Sequence, residues 1–343
     1  MDATTARIIW KLLPKKFEPP EVGITPHSVV AEFGRSRLLK YAPTSESQFP
    51  VPVLFVPSLV NRHYILDLLP DRSVVAYLLK KGYTVYMLDW GEPGLEDAHT
   101  SLDDYIMGRL HHAVRTVTRM HDSPASLVGY CMGGSMALAY AAAMPEKVKN
   151  LVLLATPVDF SQCGLLTLWS KKELLPLQSI VDSHGLVPDW LLQMAFTMLK
   201  PEWVGRQNMA LMQGADNPDF MRFYLAMSRW VNDNVPVAGS TLKEWTEEYF
   251  QKNGFMTGSL RCGGKPVTSA SVTASIFNVI AGKDHIIPPA SSLALDKWIG
   301  PGHDAYSHVF DLGHIGLSVG QGAFSQVWSS VAAWLQPRSG VKA

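Results

Sequence analysis

The sequence predicts an α/β fold in which a mostly parallel sheet is covered by helices on both faces. Apolar runs of strand length alternate with amphipathic runs of helical length over most of the chain. Parallel strands require crossover segments, and strands buried on both faces read as nearly continuous apolar runs. Between about residues 159 and 254 this alternation gives way to helical stretches rich in Met, Trp and Phe. One large domain with an inserted helical segment is therefore expected.

The first half of the chain carries the clearest alternation. Residues 1–26 are rich in proline and charge and are expected to wrap the surface, and residues 28–41 predict a hairpin with its turn near Gly34. A helix over 102–120 is expected to be capped by Ser101 or Thr100, with acidic residues in its first turn. Other predicted strands are 51–57, 83–90, the short apolar run 126–128 that leads into Gly129, and 150–155; a further helix is 72–81.

The second half divides the chain into a discontinuous core and an insertion. Residues 1–158 and 255–343 are predicted to form the core, and residues 159–254 a helical cap with helices at 190–199, 218–230 and 240–253. The methionines of this cap are expected mostly to fill its core, although adaptable Met-rich packing also suits a cap that moves over an active site. They are Met194, Met198, Met209, Met212, Met221 and Met227. The core pattern resumes with strands at 275–282 and 308–312 and a closing helix at 322–335.

Composition excludes several classes of function. The 343 residues include 30 basic and 30 acidic side chains, so nothing favours binding to nucleic acid. The three cysteines lack the spacing of metal ligands, and the sequence has no phosphate-cradling loop. Neither a bound metal nor a cofactor is therefore predicted. No secretory signal or transmembrane segment is predicted, so a cytoplasmic protein with free thiols is expected.

A strand–turn–helix signature surrounds one of these cysteines. The run Gly129-Tyr130-Cys131-Met132-Gly133-Gly134 follows a short apolar strand and precedes a helix of small residues. This is the pattern of a nucleophile elbow, with cysteine in the usual place of serine. A buried cysteine is more often a small core residue, but the helix N-terminus that follows Cys131 would favour its thiolate form. Cys131 is therefore the predicted nucleophile.

An acid and a histidine follow the nucleophile in the chain order of the α/β-hydrolase fold. Asp284 and His314 each come just after a predicted strand, and Asp159 is a rival acid after the preceding strand. Asp284 is preferred because its strand is expected to lie beside the one that leads to His314. His285 is left out, since a neighbouring side chain usually points away.

Two backbone amides are expected to form the oxyanion hole. One is the N–H of Met132, which follows the nucleophile, and the other comes from the loop after the strand at 51–57, with Val60 as the candidate.

A cysteine nucleophile also limits the class of reaction that the site would suit. Acyl transfer from a thioester to a thiol is nearly isoenergetic, so the acyl group stays activated for a second transfer. The chemistry therefore favours an acyltransferase that uses CoA thioesters over an efficient hydrolase.

With these motifs the sequence resembles the polyhydroxyalkanoate (poly-3-hydroxybutyrate) synthases, and among them the short class III catalytic subunits. The resemblance covers nearly the whole chain after about residue 51. The matching stretches are Leu59-Val60-Asn61-Arg62 with Tyr64, Asp71-Arg72-Ser73, Leu88-Asp89-Trp90-Gly91, Leu102-Asp103-Asp104-Tyr105-Ile106, the elbow, Thr156-Pro157-Val158-Asp159-Phe160, Tyr249-Phe250-Gln251-Lys252-Asn253, Asp284-His285 with Pro288-Pro289, and Gly313-His314-Ile315-Gly316.

The resemblance implies a polymerase of (R)-3-hydroxyacyl-CoA, with 3-hydroxybutyryl-CoA as the expected substrate. Cys131 would carry the acyl group, His314 would act as general base, and Asp284 would help to activate the hydroxyl of the incoming unit. The larger classes have a long N-terminal domain that is missing here, so a second, non-catalytic subunit and a homo-oligomer are expected at the surface of cytoplasmic polyester granules. At the position after the nucleophile, this sequence has Met132 where some members of the family have Gln or Val.

Two other classes remain open from the sequence. A cysteine hydrolase, such as a thioesterase, a dienelactone-type hydrolase or an intracellular polyester depolymerase, would use the same triad with water as the acceptor. A granule-surface or scaffold protein without activity is the third possibility, and the intact triad argues against it.

Overall fold

A single large sheet forms the centre of the molecule. The computed structural model describes residues 19–46, 48–174, 179, 181 and 185–342, and in that part of the chain the sheet has eight strands. In chain order they are β1 (His27–Phe33), β2 (Ser36–Tyr41), β3 (Val53–Val56), β4 (Val85–Asp89), β5 (Ala125–Tyr130), β6 (Val148–Leu154), β7 (Ser275–Ala281) and β8 (Ala305–Phe310).

The strands lie in the order β1-β2-β4-β3-β5-β6-β7-β8 across the sheet. β1 and β2 form the predicted antiparallel hairpin, and its turn contains Gly34 with a φ of 63°. β2 also runs antiparallel to β4, whereas the pairings from β4 through β8 are all parallel. The predicted α/β architecture with a mostly parallel sheet is therefore confirmed.

Helices pack on both faces of the sheet. The helices of the described residues, in the core and in the predicted cap, are α1 (Val74–Lys80), α2 (His111–His121), α3 (Met132–Ala143), α4 (Leu165–Trp169), α5 (Asp189–Met198), α6 (Glu202–Gly214), α7 (Pro218–Asn232), α8 (Gly239–Glu244), α9 (Gly254–Thr257), α10 (Pro289–Ile299), α11 (Gly316–Val319) and α12 (Ser329–Leu335). Short 3-10 turns lie at His63–Leu66, Leu95–Asp97, Pro145–Lys147, Phe160–Gln162, Ser269–Ser271 and Gln336–Arg338.

Three of the predicted helices contain wider, π-helical turns. Asp104–Leu110 leads into α2, Trp245–Gln251 continues α8, and Ala323–Trp328 leads into α12. Ser101 caps the first of them reciprocally. Its backbone N–H donates to Asp104 Oδ2 over 2.8 Å, and the Asp104 N–H donates to Ser101 Oγ over 3.0 Å. Of the two caps that the sequence allowed, Ser101 is therefore the one used, and with Asp104 it forms a capping box.

Successive side chains of the central strands belong alternately to two separate hydrophobic clusters. Leu54 and Val56 of β3 belong to one cluster, and Val53 and Phe55 to the other; all four are fully buried. Because side chains alternate across a strand, these clusters lie on opposite faces of the sheet. Cys131 packs against both clusters, so it sits where the two halves of the core meet.

The predicted cap segment, residues 159–254, is largely helical, as expected, but its packing differs from expectation. Met221 is buried and Met227 packs against the core, whereas Met194, Met198, Met209 and Met212 are between 48% and 83% exposed. The core-filling interpretation is therefore wrong for those four. Trp190, Met194 and Met198 repeat at four-residue spacing along α5 and form one exposed apolar face.

Several other elements differ from the sequence prediction. The strand expected at 308–312 is β8, which spans Ala305–Phe310 and forms one edge of the sheet. Within the predicted cap, Leu186–Val187 pairs with Val237–Ala238, and α6 adds a helix that was not predicted. Among the residues that the structure describes, no helix is both long and apolar enough to cross a membrane.

Candidate active site

Cys131 occupies a strained turn between a strand and a helix. β5 ends at Tyr130 and α3 begins at Met132, so Cys131 alone links them, with φ 53° and ψ −123°. A positive φ is uncommon for a residue with a side chain, and such strain concentrates at functional positions. The Cys131 N–H donates to the Leu154 carbonyl of β6 over 2.9 Å, which helps to fix this conformation. The Cys131 side chain remains partly exposed, as a nucleophile requires.

Glycines permit the close contacts around this turn. A Cβ on Gly133 would collide with the carbonyl oxygens of Val56 and Pro57, and one on Gly134 would collide with Thr156 Oγ1. A Cβ on Gly129 would lie 2.5 Å from the Cα of Gly134. The elbow therefore needs these glycines for space, and the contact at Gly133 brings the start of α3 against the loop that follows β3.

The Asp284 carboxylate is held by two sets of partners. Its Oδ2 accepts a hydrogen bond from His314 Nδ1 over 2.7 Å, and its Oδ1 accepts bonds from the backbone N–H groups of Ile286 and Ile287 over 2.8 and 2.9 Å. The Asp284 side chain is only 1% exposed and that of His314 is 6% exposed. Asp284 is thus a buried carboxylate that fixes the tautomer and the orientation of the His314 ring.

The two loops that carry this pair are joined by backbone hydrogen bonds. Gly282, just after β7, donates to Phe310 over 2.7 Å, and Lys283 donates to Leu312 over 2.9 Å. β7 and β8 are neighbours in the sheet, so their carboxyl ends deliver Asp284 and His314 side by side. This is the adjacency that the sequence argument used to prefer Asp284 over Asp159.

His314 interacts with both the acid and the cysteine. Burial lowers the pKa of His314, but the charges of Asp284 and Cys131, and hydrogen bonds to both side chains, raise it above its ordinary value. Since Nδ1 bonds to Asp284, Nε2 is the ring atom left to serve Cys131. The arrangement can accept the thiol proton on Nε2 and hold the resulting imidazolium beside a thiolate.

Tyr130 supports the His314 ring and was not predicted from the sequence. Its ring stacks on the imidazole with centroids 5.3 Å apart and planes at 30°, and its hydroxyl donates to the His314 carbonyl over 3.3 Å. Tyr130 is 4% exposed, and burial raises its pKa well above the ordinary value. The residue directly before the nucleophile thus positions the histidine.

The rival residues of the sequence argument lie elsewhere. Asp159 Oδ1 accepts bonds from the Ser161 N–H, the Ser161 hydroxyl and Asn253 Nδ2, so its side chain organises the turn after β6. Burial lowers the pKa of His285. Burial also raises the pKa of the Cys163 and Cys262 thiols to about 12.

The predicted oxyanion donors lie on the two elements that meet at Gly133. Met132 is the first residue of α3, where backbone N–H groups lack intrahelical acceptors. Val60 lies in the loop after β3, and its N–H makes only a long bond, 3.5 Å, to Ser58 Oγ. Neither donor is held by a short hydrogen bond to the protein among those described.

No cluster of three or more His, Cys, Asp or Glu side chains suited to a metal ion occurs in the described part of the chain. At the elbow the structure brings together a thiol, an imidazole, a carboxylate and backbone amides.

Two family models match the chain. One describes the α/β-hydrolase fold and matches residues 51–321, and the other describes the N-terminus of poly-beta-hydroxybutyrate polymerase (PhaC) and matches residues 15–78.

Individual relatives of the chain are named as PhaC polymerase subunits. The chain is 37% identical to the poly(3-hydroxyalkanoate) polymerase subunit PhaC of Haloferax mediterranei, over 93% of this chain and 65% of that protein. It is 35% identical to the subunit of the same name from Thiocystis violacea, over 93% of this chain and 90% of that protein. The corresponding values for the Synechocystis subunit are 36%, 93% and 86%.

Solved structures share the fold at low identity. A serine hydrolase from Cycloclasticus zankles matches with a TM-score of 0.52 and 16% identity, over 91% of this chain and 98% of that one. A thermophilic esterase from Thermogutta terrifontis matches with a TM-score of 0.51 and 14% identity, over 92% and 99%. At such identities these matches support the fold alone. The family models and the relatives above show that the chain belongs to the family of poly(3-hydroxyalkanoate) polymerase subunits PhaC, acyltransferases with the α/β-hydrolase fold.

Proposed function

We propose that the chain polymerises (R)-3-hydroxyacyl-CoA, with 3-hydroxybutyryl-CoA as the preferred unit, through a covalent thioester on Cys131. The observation that carries this proposal is the line of contacts from Cys131 through His314 to the buried Asp284, at the elbow of the sheet. A thiol nucleophile suits a CoA thioester donor because the enzyme-bound acyl group keeps its activation. The names of the relatives support polyester as the product.

Acylation of Cys131 is the first step. His314 Nε2 accepts the thiol proton, and the thiolate attacks the carbonyl carbon of the acyl-CoA. The Met132 and Val60 amides stabilise the negative oxygen of the tetrahedral intermediate, and an oxyanion donor of this kind contributes roughly 3 kcal/mol. The C–S bond to CoA then breaks, and the CoA sulfur takes the proton from His314 and leaves as free CoA.

Elongation uses the same groups with an alcohol as the nucleophile. The 3-hydroxyl of the next unit loses its proton to His314 Nε2 and attacks the acyl carbon on Cys131. An ester bond forms, the bond to sulfur breaks, and the Cys131 sulfur recovers the proton. The lengthened chain is then a CoA thioester, and the Cys131 thiolate attacks its thioester carbonyl as in the first step. Each round therefore adds one ester, releases one CoA and returns the chain to Cys131. Asp284 supports both steps by holding His314 Nδ1 protonated, so that Nε2 can act as the base.

Assembly with other chains is part of the proposal. We expect a second, non-catalytic subunit and a homo-oligomer that acts at the surface of cytoplasmic polyester granules. The exposed apolar face of α5, with Trp190 62% exposed, supports a partner surface on the predicted cap. The relatives from Haloferax, Thiocystis and Synechocystis are each named as a subunit.

Incubation with 3-hydroxybutyryl-CoA tests the proposed reaction. The wild type should release CoA and form polymer, and Cys131→Ala should release none while keeping its fold, because alanine is tolerated at this turn. Cys163→Ala is the matched control and should behave nearly like the wild type. Free 3-hydroxybutyrate in place of polymer would identify a hydrolase, and normal CoA release by Cys131→Ala would remove the elbow from the mechanism.

A further inference from the structure

The loop that follows β3 is held by the C-terminal end of α7. We call residues 57–62 the β3 loop; it contains Val60, the proposed oxyanion donor. Asn61, the next residue, forms an isolated antiparallel bridge with Asn234, two residues beyond the end of α7. Asn61 Nδ2 also donates to Asn234 Oδ1 over 2.6 Å. Backbone and side chain of the residue adjacent to Val60 are thus both fixed by one residue of the predicted cap.

Neighbouring side chains reinforce this contact. Asp233 accepts a hydrogen bond from Arg62 Nε over 3.1 Å and another from the Tyr64 hydroxyl over 2.8 Å. Trp230 Nε1, in the last turn of α7, donates to the Arg62 carbonyl over 2.9 Å. The link is therefore a connected polar network of side-chain and backbone groups, and it is partly shielded from water.

Asn234 extends the same network into the predicted cap. Its Nδ2 donates to Gln193 Oε1 of α5 and, over 3.1 Å, to the Val231 carbonyl of α7. With its Oδ1 on Asn61, the Asn234 amide joins α5, α7 and the β3 loop. An asparagine amide has both a donor and an acceptor end, so this single side chain can connect all three.

The β3 loop is fixed independently on the core side. Trp90 Nε1 donates to the Pro57 carbonyl over 2.8 Å, and His63 Nδ1 lies 3.3 Å from Asp89 Oδ1. The first residue of the loop and the residue that follows the loop are therefore tied to β4 and its end, whereas Asn61 and Arg62 are held by the predicted cap.

We infer that Asn234 is a positioning residue, which sets the Val60 amide for the tetrahedral intermediate by holding Asn61. The inference rests on the function proposed above. An oxyanion donor must lie within about 2.7–3.1 Å of the developing charge, so a small displacement of the loop loses most of its contribution. Among the hydrogen bonds of the described residues, none joins Asn234 to the nucleophile or its base, so the loss of its side chain should affect the intermediate alone.

The test compares two reactions of Cys131 that differ in one respect. Acylation by 3-hydroxybutyryl-CoA passes through a tetrahedral oxyanion, whereas alkylation by iodoacetamide displaces iodide and forms none. Asn234→Ala should slow the maximal rate of acylation about tenfold to a hundredfold, in line with a weakened oxyanion donor. It should leave the rate of alkylation within about twofold of the wild type. Rapid-quench CoA release and intact-mass analysis measure the two rates, with Cys131→Ala as the blank.

Two further variants make the comparison specific. Asn234→Asp keeps an acceptor for Asn61 Nδ2 and should retain most of the acylation rate. Asn232→Ala removes an exposed amide that bonds only to the Ser228 carbonyl, over 2.7 Å, among the described contacts, and it should match the wild type in both reactions.

Each remaining outcome is decisive. Equal losses of acylation and alkylation in Asn234→Ala would assign Asn234 to the fold or the nucleophile and overturn the inference, as would unchanged acylation. A wild-type chain that is alkylated at Cys131 but never acylated would instead contradict the proposed function, so the two failures are distinguishable.

Discussion

At the scale of single residues, the carboxylate of Asp284 is fully engaged. Oδ2 bonds to the His314 ring, Oδ1 accepts two backbone N–H groups, and the side chain is almost inaccessible. A substrate hydroxyl would have to displace one of these partners to contact it. We therefore expect Asp284 to activate the hydroxyl of the incoming unit through His314 rather than by direct contact.

This expectation gives Asp284→Asn a divided effect. A thiol is intrinsically far more acidic than an alcohol, so His314 needs less support to make a thiolate than to deprotonate a hydroxyl. The variant should release a first burst of about one CoA per Cys131 and then stall with a short acyl chain on the enzyme. Rapid-quench CoA release with intact-mass analysis measures both phases.

His314→Gln is the companion variant, and it should lose the burst as well because it has no base at all. If Asp284→Asn loses the burst and the steady-state rate to the same extent, Asp284 only orients His314 for every step alike.

The site residues differ in how far the sequence could predict them. Cys131 and His314 follow strand signals and carry glycine neighbours, and those local patterns were enough to select them. Asn234 and Tyr130 offered no such signal. Asn234 lies far along the chain from Asn61, and Tyr130 reads as an ordinary buried strand residue. Their roles follow only from contacts that the tertiary fold creates.

At the scale of elements, the elbow depends on the close approach of β5, α3 and the residues after β6. A Cβ on Gly134 would collide with Thr156, which is fully buried and cannot move aside. Gly134→Ala should therefore lower the free energy of unfolding by about 1–3 kcal/mol. Gly108→Ala is the matched control, since a Cβ there meets nothing within 4 Å.

In the control, alanine in a helical turn should raise the free energy of unfolding by up to about 1 kcal/mol. Urea unfolding of both variants measures the difference. Equal stabilities would show that the elbow relaxes around the added methyl group at no cost.

Element prediction succeeded where burial imposes a regular pattern. Buried strands such as β5 and β6 have nearly uninterrupted apolar sequences and were placed within one or two residues. β8 lies at the sheet edge with half of its residues exposed and only one buried, so its apolar signal was weak and the predicted strand began three residues late. The π-helical turns were not predicted because they change the spacing of apolar residues too little to be recognised in a sequence. The two-residue strands were not predicted because so short a segment has no periodicity.

At the scale of the whole molecule, the exposed apolar face of α5 leaves a surface for the proposed second subunit. The single chain should therefore polymerise slowly and with a lag, and addition of the non-catalytic subunit of a class III synthase should raise the rate and remove the lag. Hydrogen exchange should show α5 less protected than β5 in the single chain and more protected in the assembly.

Full specific activity of the single chain without a lag would contradict the need for a partner. Core-like protection of α5 in both states would contradict the proposal that the predicted cap is mobile.

The contact between Asn61 and Asn234 has a thermodynamic consequence. If the predicted cap has a docked and an undocked position, only the docked one holds the centre of the β3 loop. Two equilibria that share one contact are linked, and their coupling free energy is the same in both directions. A ligand that stabilises the docked position then strengthens binding of the tetrahedral intermediate. In return, occupation of the oxyanion site raises the affinity of any ligand that prefers the docked cap. Stabilisation of the intermediate and affinity for a partner subunit would then be coupled through the amide side chain of Asn234.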